Sequence, residues 1–427
     1  MRILQVIHQF LPEYTGGTEQ YTADLARRLR ERGHEVAVFT GGSDAGERQW
    51  EGIPITVVLG GLRGPRGQLS LFSSAFGHRG IEGAFASLLQ ALRPDVVHFQ
   101  HLLGLSSRLP RLARKFGAAT CFTLHDYWFM CPKSQLIDHT GAPCSGPVLG
   151  INCGWCAAER LGKPQLLWGA PLAAPLFMLR QQRVKRAFSE VDALLAPSQF
   201  VADFAVRAGL PRDKIERVDF GIPSLAGQSP APVQRAPGAP LRALFLGAVS
   251  WSKGAHVLVQ AGQWLNAAEV QVDIFGDLAS YPDYSNELDE LMEKSSTPPI
   301  HLRGQASREE VAQALASSDV LVAPSLWYEN APLVIGEAFS MGLPVIASNI
   351  GALAEKVRHG VDGLLFPAGD AKALAATLTK LARDPVLLQT LRAGIQNTAT
   401  REQHIDRMLE VYKSLIAKQS HEEQVSP

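Results

Sequence analysis

Two glutamates, Glu329 and Glu337, stand eight positions apart on either side of the start of a helical pattern. The N-terminus of a helix presents unpaired backbone N–H groups and the positive end of the helix dipole to an anion. Carboxylates only accept hydrogen bonds, which suits sugar and ribose hydroxyls. This combination predicts a site for a sugar attached to a diphosphate. The alternative is a pair of exposed helical glutamates, which Pro332 and the apolar strand pattern that follows disfavour.

Two strand-to-helix turns contain residues suited to binding phosphate. Gly16 and Gly17 precede the first helical pattern, and glycines permit a close backbone approach that a side chain would block. Lys253 occupies the corresponding turn in the second half of the chain, where an ammonium group would neutralise a diphosphate. The alternatives are an ordinary turn for the glycines and a solvated surface position for the lysine.

His125 directly follows a strand pattern at residues 119–124. At the end of a strand its imidazole would be able to hydrogen-bond a sugar hydroxyl or to steady developing charge. The alternative is a structural histidine capped by Asp126.

Short apolar runs alternate with longer helical patterns along the chain, which predicts parallel sheets with crossover helices. The strand patterns cover residues 3–6, 36–39, 96–99, 119–124, 193–196, 242–246, 270–275, 300–302, 320–323, 345–347 and 363–366. A stretch rich in Pro, Ala and Gly at residues 226–240 predicts a linker between domains at 1–225 and 241–427. A helical pattern at residues 406–418 predicts a terminal helix that is able to return to the first domain.

Composition narrows the classes of function. The chain has 427 residues, and its 41 Lys and Arg balance its 41 Asp and Glu, so no net field favours nucleic acid. The apolar run at residues 3–7 is too short for a signal peptide, and no run reaches the roughly 20 apolar residues of a transmembrane helix. We therefore expect a cytoplasmic protein. The sequence carries no signal for a particular oligomeric state.

In this order and across both halves, Gly16-Gly17, His125, Lys253-Gly254 and the segment from Glu329 to Glu337 resemble the retaining glycosyltransferase family 4. The resemblance implies the α/β GT-B fold, in which two Rossmann-like doubly wound domains face each other across a cleft that holds the active site. It also implies transfer of a sugar from a nucleotide-sugar donor to a saccharide or polyprenyl-linked acceptor in glycan biosynthesis. The alternatives are a sugar-nucleotide epimerase of similar architecture and a non-catalytic glycan- or nucleotide-binding protein.

The resemblance also implies roles for individual residues. Glu337 would bind the ribose, and Glu329 and His125 the transferred sugar. The base would lie near Arg303, Gly304 and Gln305. The donor diphosphate would be held by the glycine turn of Gly16 and Gly17, by Lys253 and by the backbone of Ala331, Pro332, Leu333 and Val334.

The family usually needs no catalytic metal. Many members have an arginine where this chain has Ala248, so Lys253 would supply more of the positive charge here.

Two further features fall in the first domain. Cys131, Cys144, Cys153 and Cys156 could close a tetrahedral structural zinc site, with unligated thiols as the alternative. An apolar stretch at residues 166–179 precedes a basic cluster at residues 180–186, a pattern that would seat a protein on the inner face of the cell membrane. The alternative is a helix packed on its own domain.

Overall fold

The computed structural model describes residues 1–60, 72–162, 169–222, 236, 238–293, 300–396 and 398–425, and only the backbone of residues 421–425. The predicted linker lies outside these residues except at 236 and 238–240. Two compact units are present. The first consists of Met1–Asp219 and Glu402–Pro427, and the second of Phe220–Arg401.

The described part of the first unit contains an eight-stranded sheet in the order β3-β4-β2-β1-β5-β6-β7-β8. All neighbouring strands are parallel except β3, which is antiparallel to β4. The strands are β1 (Arg2–Ile7), β2 (Glu35–Gly42), β3 (Gly46–Trp50), β4 (Ile53–Leu59), β5 (Val96–Phe99), β6 (Ala119–Thr123), β7 (Ala193–Ala196) and β8 (Ile215–Arg217).

The helices of the first unit connect these strands and pack on the sheet. They are α1 (Gly17–Glu31), α2 (Arg79–Leu92), α3 (Leu109–Lys115), α4 (Ile151–Arg160), α5 (Ala174–Ser189) and α6 (Gln199–Arg207). Strands such as β5 and β7 are buried at every position, because a parallel sheet is covered on both faces. This explains why their sequences are continuous apolar runs.

The second unit repeats this architecture with a six-stranded parallel sheet in the order β11-β10-β9-β12-β13-β14. Its strands are β9 (Leu241–Leu246), β10 (Val270–Phe275), β11 (Ile300–Gly304), β12 (Val320–Ala323), β13 (Val345–Ser348) and β14 (Gly363–Phe366). Its helices are α7 (Ala255–Ala261), α8 (Pro282–Glu293), α9 (Arg308–Ser317), α10 (Leu333–Ser340), α11 (Gly351–Lys356), α12 (Ala371–Arg383) and α13 (Pro385–Gly394). Apolar residues from both faces of this sheet form two buried clusters.

The terminal helix α14 (Arg401–Val425) belongs to the first unit from Glu402 onward. It places Ile405, Met408, Val411, Tyr412 and Leu415 in the core of that unit. Arg32 of the first unit pairs with Glu402 at 2.8 Å and with Asp406 at 2.6 Å.

The predicted pair of parallel α/β sheets is confirmed, and the ends of the predicted strands agree with the observed ones to within three residues. The sequence analysis missed β3, β4 and β8. Strand β3 is a polar, mostly exposed edge strand, and β8 has only three residues, so neither produces a clear apolar run. A continuous apolar run is the signal of a strand that is buried on both faces.

Candidate functional site

The turn that carries Lys253 packs directly against the end of β12. A 3-10 turn at Trp251–Lys253 ends in Gly254, whose φ of 75° is left-handed. A Cβ atom at Gly254 would lie 2.0 Å from the carbonyl oxygen of Pro324, so only glycine permits this approach. The backbone N–H of Leu326 donates to the carbonyl of Ser252 at 2.8 Å, which joins the two segments.

Glu329 is buried in this region and fixes Lys253. Its Oε1 accepts from Lys253 Nζ at 2.7 Å, from Trp327 Nε1 at 2.8 Å and from Ser325 Oγ at 2.9 Å. The ammonium also lies 5.7 Å from the centre of the Trp327 ring. Lys253 is therefore a positioned cation and not the solvated lysine of the alternative interpretation. Ala248 is exposed and adds no charge to the same turn.

Helix α10 begins after Pro332, which has no side-chain group that could cap its N-terminus. The helix starts at Leu333, so Glu329 lies in the preceding loop and Glu337 lies in the second turn. The backbone of residues 331–334 therefore forms a helix N-terminus of the kind that binds anions.

Glu337 is half-buried. Burial raises the pKa of its carboxyl above the usual range, and the positive charges of Arg308 and Arg401 oppose this shift. Burying a carboxylate costs folding free energy, and hydrogen bonds from a bound ligand would offset that cost.

The residues expected near the base lie at the end of β11. Arg303 Nε donates to Asp273 Oδ1 of the neighbouring strand β10 at 2.6 Å. Gly304 ends the strand with a φ of 75°, and Gln305 follows it in an exposed position. Arg303 is thus held by a carboxylate in this structure.

The glycine turn of the first unit surrounds a buried glutamate that the sequence analysis did not assign. Glu19 is 3% exposed and accepts from Gln9 Nε2 at 2.7 Å, while His8 Nε2 lies 3.6 Å from its Oε1. A Cβ atom at Gly16 would lie 2.4 Å from Glu19 Oε2, so this glycine makes room for the carboxylate. A Cβ atom at Gly17 would meet nothing within 4 Å, so Gly17 presents open backbone at the start of α1.

His125 lies at the end of β6 and its Nε2 is 2.6 Å from Gln100 Oε1. Asp126, the partner of His125 in the alternative interpretation, has its Oδ2 2.8 Å from His101 Nε2. Burial lowers the pKa of His125 to about 3, and His101 adds to the shift. His125 is therefore neutral at physiological pH.

Other histidines that the sequence analysis missed extend this network. His98 is fully buried between the hydroxyls of Tyr412 and Thr123, each 2.7 Å away. Burial also holds the pKa of His8 and of His98 well below the usual range. His8 directly follows β1, whereas His98 lies within β5, so a signal from position after a strand was available only for His8.

The four clustered cysteines border one cavity of the first unit. Burial raises the pKa of Cys153 to about 12 and that of Cys156 to about 11. Within the described ranges, no three His, Cys, Asp or Glu side chains are arranged to hold a single metal ion. The zinc site therefore stays a prediction. The fifth cysteine, Cys121, is buried in β6, away from that cavity.

The apolar stretch that precedes the basic cluster is partly described, since residues 166–168 lie outside the described ranges. Leu172 is 87% exposed, and Leu176 and Leu179 are also exposed. Arg183 and Arg186 are exposed beside them, whereas Arg180 is buried. No helix in the described part of the chain combines the length and apolar character needed to cross a bilayer.

Two family models match nearly consecutive parts of the chain. Residues 15–224 match Glycosyltransferase Family 4, and residues 240–384 match Glycosyl transferases group 1. The chain belongs to glycosyltransferase family 4. It is a glycosyltransferase with the GT-B fold, and the matches favour this activity over the epimerase and binding-protein alternatives.

Similar proteins carry related descriptions. The transferase is 27% identical to D-inositol 3-phosphate glycosyltransferase 1 of Catenulispora acidiphila, over 94% of this chain and 91% of that protein. It is 28% identical to the amylovoran biosynthesis glycosyltransferase AmsK of Erwinia amylovora, over 46% of this chain and 49% of that protein. The structure of Anabaena Alr3699/HepE in complex with UDP superposes with a TM-score of 0.67 at 17% identity, covering 97% and 100% of the two chains.

Replacing Gly17 tests whether its backbone contacts the donor, because the substitution should leave the fold unchanged. We expect Gly17→Ala to leave the melting temperature unchanged, because its methyl group meets no atom of the chain. If the donor diphosphate approaches this backbone, the donor KM rises about tenfold, equivalent to ~1.4 kcal/mol. The matched variant Gly16→Ala should lower the melting temperature, because it displaces Glu19. An unchanged KM in Gly17→Ala would exclude the contact.

Replacing Glu337 should raise the stability of the fold and lower its affinity for the donor. The pKa of the Glu337 carboxyl is raised in the folded chain, so the folded state binds its proton more tightly than the unfolded state does. The wild type therefore loses stability as pH rises from the ordinary value of 4.5 through the raised pKa. Glu337→Gln removes this cost, and its melting temperature should exceed that of the wild type by about 1–3 °C at pH 7 but not at pH 4. Its donor KM should rise about tenfold. The exposed Glu287→Gln serves as the control, and a variant that is destabilised at pH 7 would contradict the prediction.

Proposed function

We propose that this transferase moves a sugar from a nucleoside-diphosphate donor to a saccharide or lipid-linked saccharide acceptor, with retention at the anomeric carbon. The observation that carries the proposal is the ion pair between Lys253 Nζ and Glu329 Oε1 at 2.7 Å. Glu329 lies in the loop that precedes α10. It places a fixed ammonium in the same unit as an uncapped helix N-terminus. Both features bind the negative charge of a diphosphate. The complex of Alr3699/HepE with UDP supports a donor of this class.

The second unit would hold the donor. Lys253 and the backbone of residues 331–334 would bind the diphosphate, Glu337 the ribose diol, and the end of β11 would lie near the base. Glu329 would act in two ways, since it positions Lys253 and carries a second carboxylate oxygen suited to a sugar hydroxyl. In the first unit, neutral His125 would accept or donate a hydrogen bond to the transferred sugar.

In the proposed reaction an acceptor hydroxyl oxygen bonds to the anomeric carbon on the face from which the diphosphate departs. The bond from that carbon to the phosphate oxygen breaks, and the hydroxyl proton passes to the leaving phosphate. Lys253 and the helix dipole stabilise the charge that develops on this phosphate. These fixed charges would serve in place of a catalytic metal ion.

The transferase would bind its acceptor at a membrane surface. The exposed leucines of residues 172–179 adjoin the exposed Arg183 and Arg186, so one surface offers both apolar area and positive charge. Anionic lipid attracts such a surface, and lipid-linked acceptors are found there.

Donor binding and turnover test the proposed function. A panel of UDP-, GDP-, ADP- and TDP-sugars should contain one donor that raises the melting temperature, because a ligand that binds only the folded chain stabilises it. With that donor and an acceptor, the product should keep the donor's anomeric configuration in an NMR assay, with or without EDTA. Lys253→Ala should lower kcat/KM about 100-fold.

The exposed Lys372→Ala in the same unit provides the control for loss of a positive charge. Inversion of configuration would contradict the retaining mechanism. Near-normal turnover by Lys253→Ala would contradict the role of the lysine, and conversion of the donor without transfer would favour an epimerase.

Membrane contact is tested separately with vesicles. The wild type should sediment with vesicles that contain anionic phospholipid at low salt, and less with neutral ones. Replacing Leu172 and Leu176 by serine should reduce this binding. Val386→Ser removes an exposed apolar side chain from the second unit and should have no effect. Failure of the wild type to sediment with anionic vesicles would exclude this surface.

A further inference from the structure

A series of hydrogen-bonded side chains crosses the first unit and ends at His125. Its members come from α1, β5, β6, α14 and the segments beside them, and we call them the hydrogen-bond chain: His404, Tyr21, Thr123, His98, Gln100 and His125. Each of these groups pairs with the next, so the position of one proton decides the position of the one after it. The whole series can therefore be read from one fixed end.

The fixed end is a backbone carbonyl, which accepts hydrogen bonds and cannot donate them. His404 is buried, and its Nδ1 lies 2.9 Å from the carbonyl oxygen of Asp219. Nδ1 therefore carries a proton, and in a neutral imidazole Nε2 is then the acceptor. Tyr21 Oη lies 2.8 Å from this Nε2, so the hydroxyl of Tyr21 donates to His404.

The next two links carry this direction to His98. The hydroxyl of Tyr21 also hydrogen-bonds the side chain of Thr123, and because its own proton points to His404, the hydroxyl of Thr123 is the donor. Thr123 Oγ1 then accepts from His98 Nε2, which lies 2.7 Å away. Burial holds the pKa of His98 well below the usual range, so its imidazole is neutral and Nδ1 is an acceptor. The hydroxyl of Tyr412 lies 2.7 Å from this Nδ1 and donates to it.

Gln100 connects His98 to His125. It is fully buried, and its Nε2 lies 2.8 Å from Gln5 Oε1 and 3.1 Å from His98 Nδ1. Because His98 Nδ1 is an acceptor, the amide nitrogen of Gln100 must face it, which leaves the amide oxygen 2.6 Å from His125 Nε2. An amide oxygen only accepts, so the proton of the neutral His125 is on Nε2. Nδ1 is consequently its acceptor nitrogen.

We propose that the hydrogen-bond chain holds His125 as the Nε2–H tautomer and thereby makes Nδ1 a hydrogen-bond acceptor for the substrate. Gln100 is the direct positioning residue, and Tyr21 and His404 act through it from a distance. The inference rests on the proposed function, in which His125 contacts the transferred sugar. Any sugar group that hydrogen-bonds Nδ1 is then a donor, which on a sugar is a hydroxyl. Fluorine cannot donate, so a donor with fluorine in place of that hydroxyl would bind more weakly.

NMR of the full chain with ¹⁵N-labelled histidine tests the tautomer without any ligand. The ring nitrogen shifts and their couplings to the ring protons distinguish the two neutral tautomers. We expect the proton of His125 on Nε2, with its signals assigned by their loss in His125→Gln. A proton on Nδ1, or a mixture of the two tautomers, would overturn the proposal.

A change at the far end of the hydrogen-bond chain tests the remote positioning. His404→Phe removes the group that fixes the Tyr21 hydroxyl, so we expect part of the His125 population to carry its proton on Nδ1. The matched control is Tyr284→Phe, which removes a hydroxyl that lies 2.7 Å from His256 Nδ1 in the second unit and should leave His125 unchanged. A purely structural His404 would lower the melting temperature and leave the tautomer unchanged, which would contradict remote positioning.

Gln100 is tested by activity with the donor found in the panel of nucleotide-sugars. Gln100→Met removes both the amide oxygen and the amide nitrogen, and the donor KM should rise about tenfold, with a smaller effect on kcat. Gln100→Glu should restore most of the affinity, because a protonated carboxyl can still donate to His98 and accept from His125.

Deoxyfluoro analogues of the same donor test the contact at Nδ1. One of them should bind the wild type about tenfold more weakly than the parent donor, and this difference should shrink in Gln100→Met. Equal binding of all the analogues would exclude a hydroxyl at Nδ1. The tautomer is measured without substrate, so it decides the state of His125 even if no sugar is transferred, and the two proposals fail separately.

Discussion

One buried carboxylate oxygen holds the site of the second unit together. Glu329 Oε1 accepts hydrogen bonds from Lys253, Ser325 and Trp327. A buried charge is tolerated only when it is paired and hydrogen-bonded, so these three donors cannot move independently. The turn after β9 and the loop after β12 therefore form one rigid surface, and Gly254 is required because the two segments approach so closely.

The two units concentrate different kinds of polar group at the ends of their strands. In the first unit burial keeps His8, His98 and His125 neutral, so they contribute hydrogen bonds without charge. In the second unit a fixed ammonium and a helix N-terminus supply positive charge. Hydrogen-bonding groups suit sugar hydroxyls, and fixed positive charge suits a diphosphate. This division matches the two chemical parts of a nucleotide-sugar.

The segment between β6 and α5 is ordered differently from the rest of the first unit. Its described residues contain α4 and an isolated β-bridge between Ile137 and Pro143, but not the extended backbone ladder that orders the rest of the first unit. Its order depends on turns, on the glycine contacts of α4 and on buried side chains such as Tyr127, Trp128 and Phe129. Arg180 is the costly group in this region, because its guanidinium is buried and its Nη1 has no hydrogen-bond partner.

The sequence by itself determined the two parallel α/β sheets, because strands buried on both faces must be continuous apolar runs. It also indicated Lys253 and Glu329 as candidate site residues, because strand-to-helix turns place residues at the ends of strands, and Glu337 as a third candidate in the helix that follows. Only the tertiary structure decided which partners these residues have. Glu329 binds a lysine 76 positions away, Asp126 binds His101, and Glu19 lies buried beneath Gly16. Periodicity reports local burial, whereas these pairings depend on how strands distant in sequence align in one sheet.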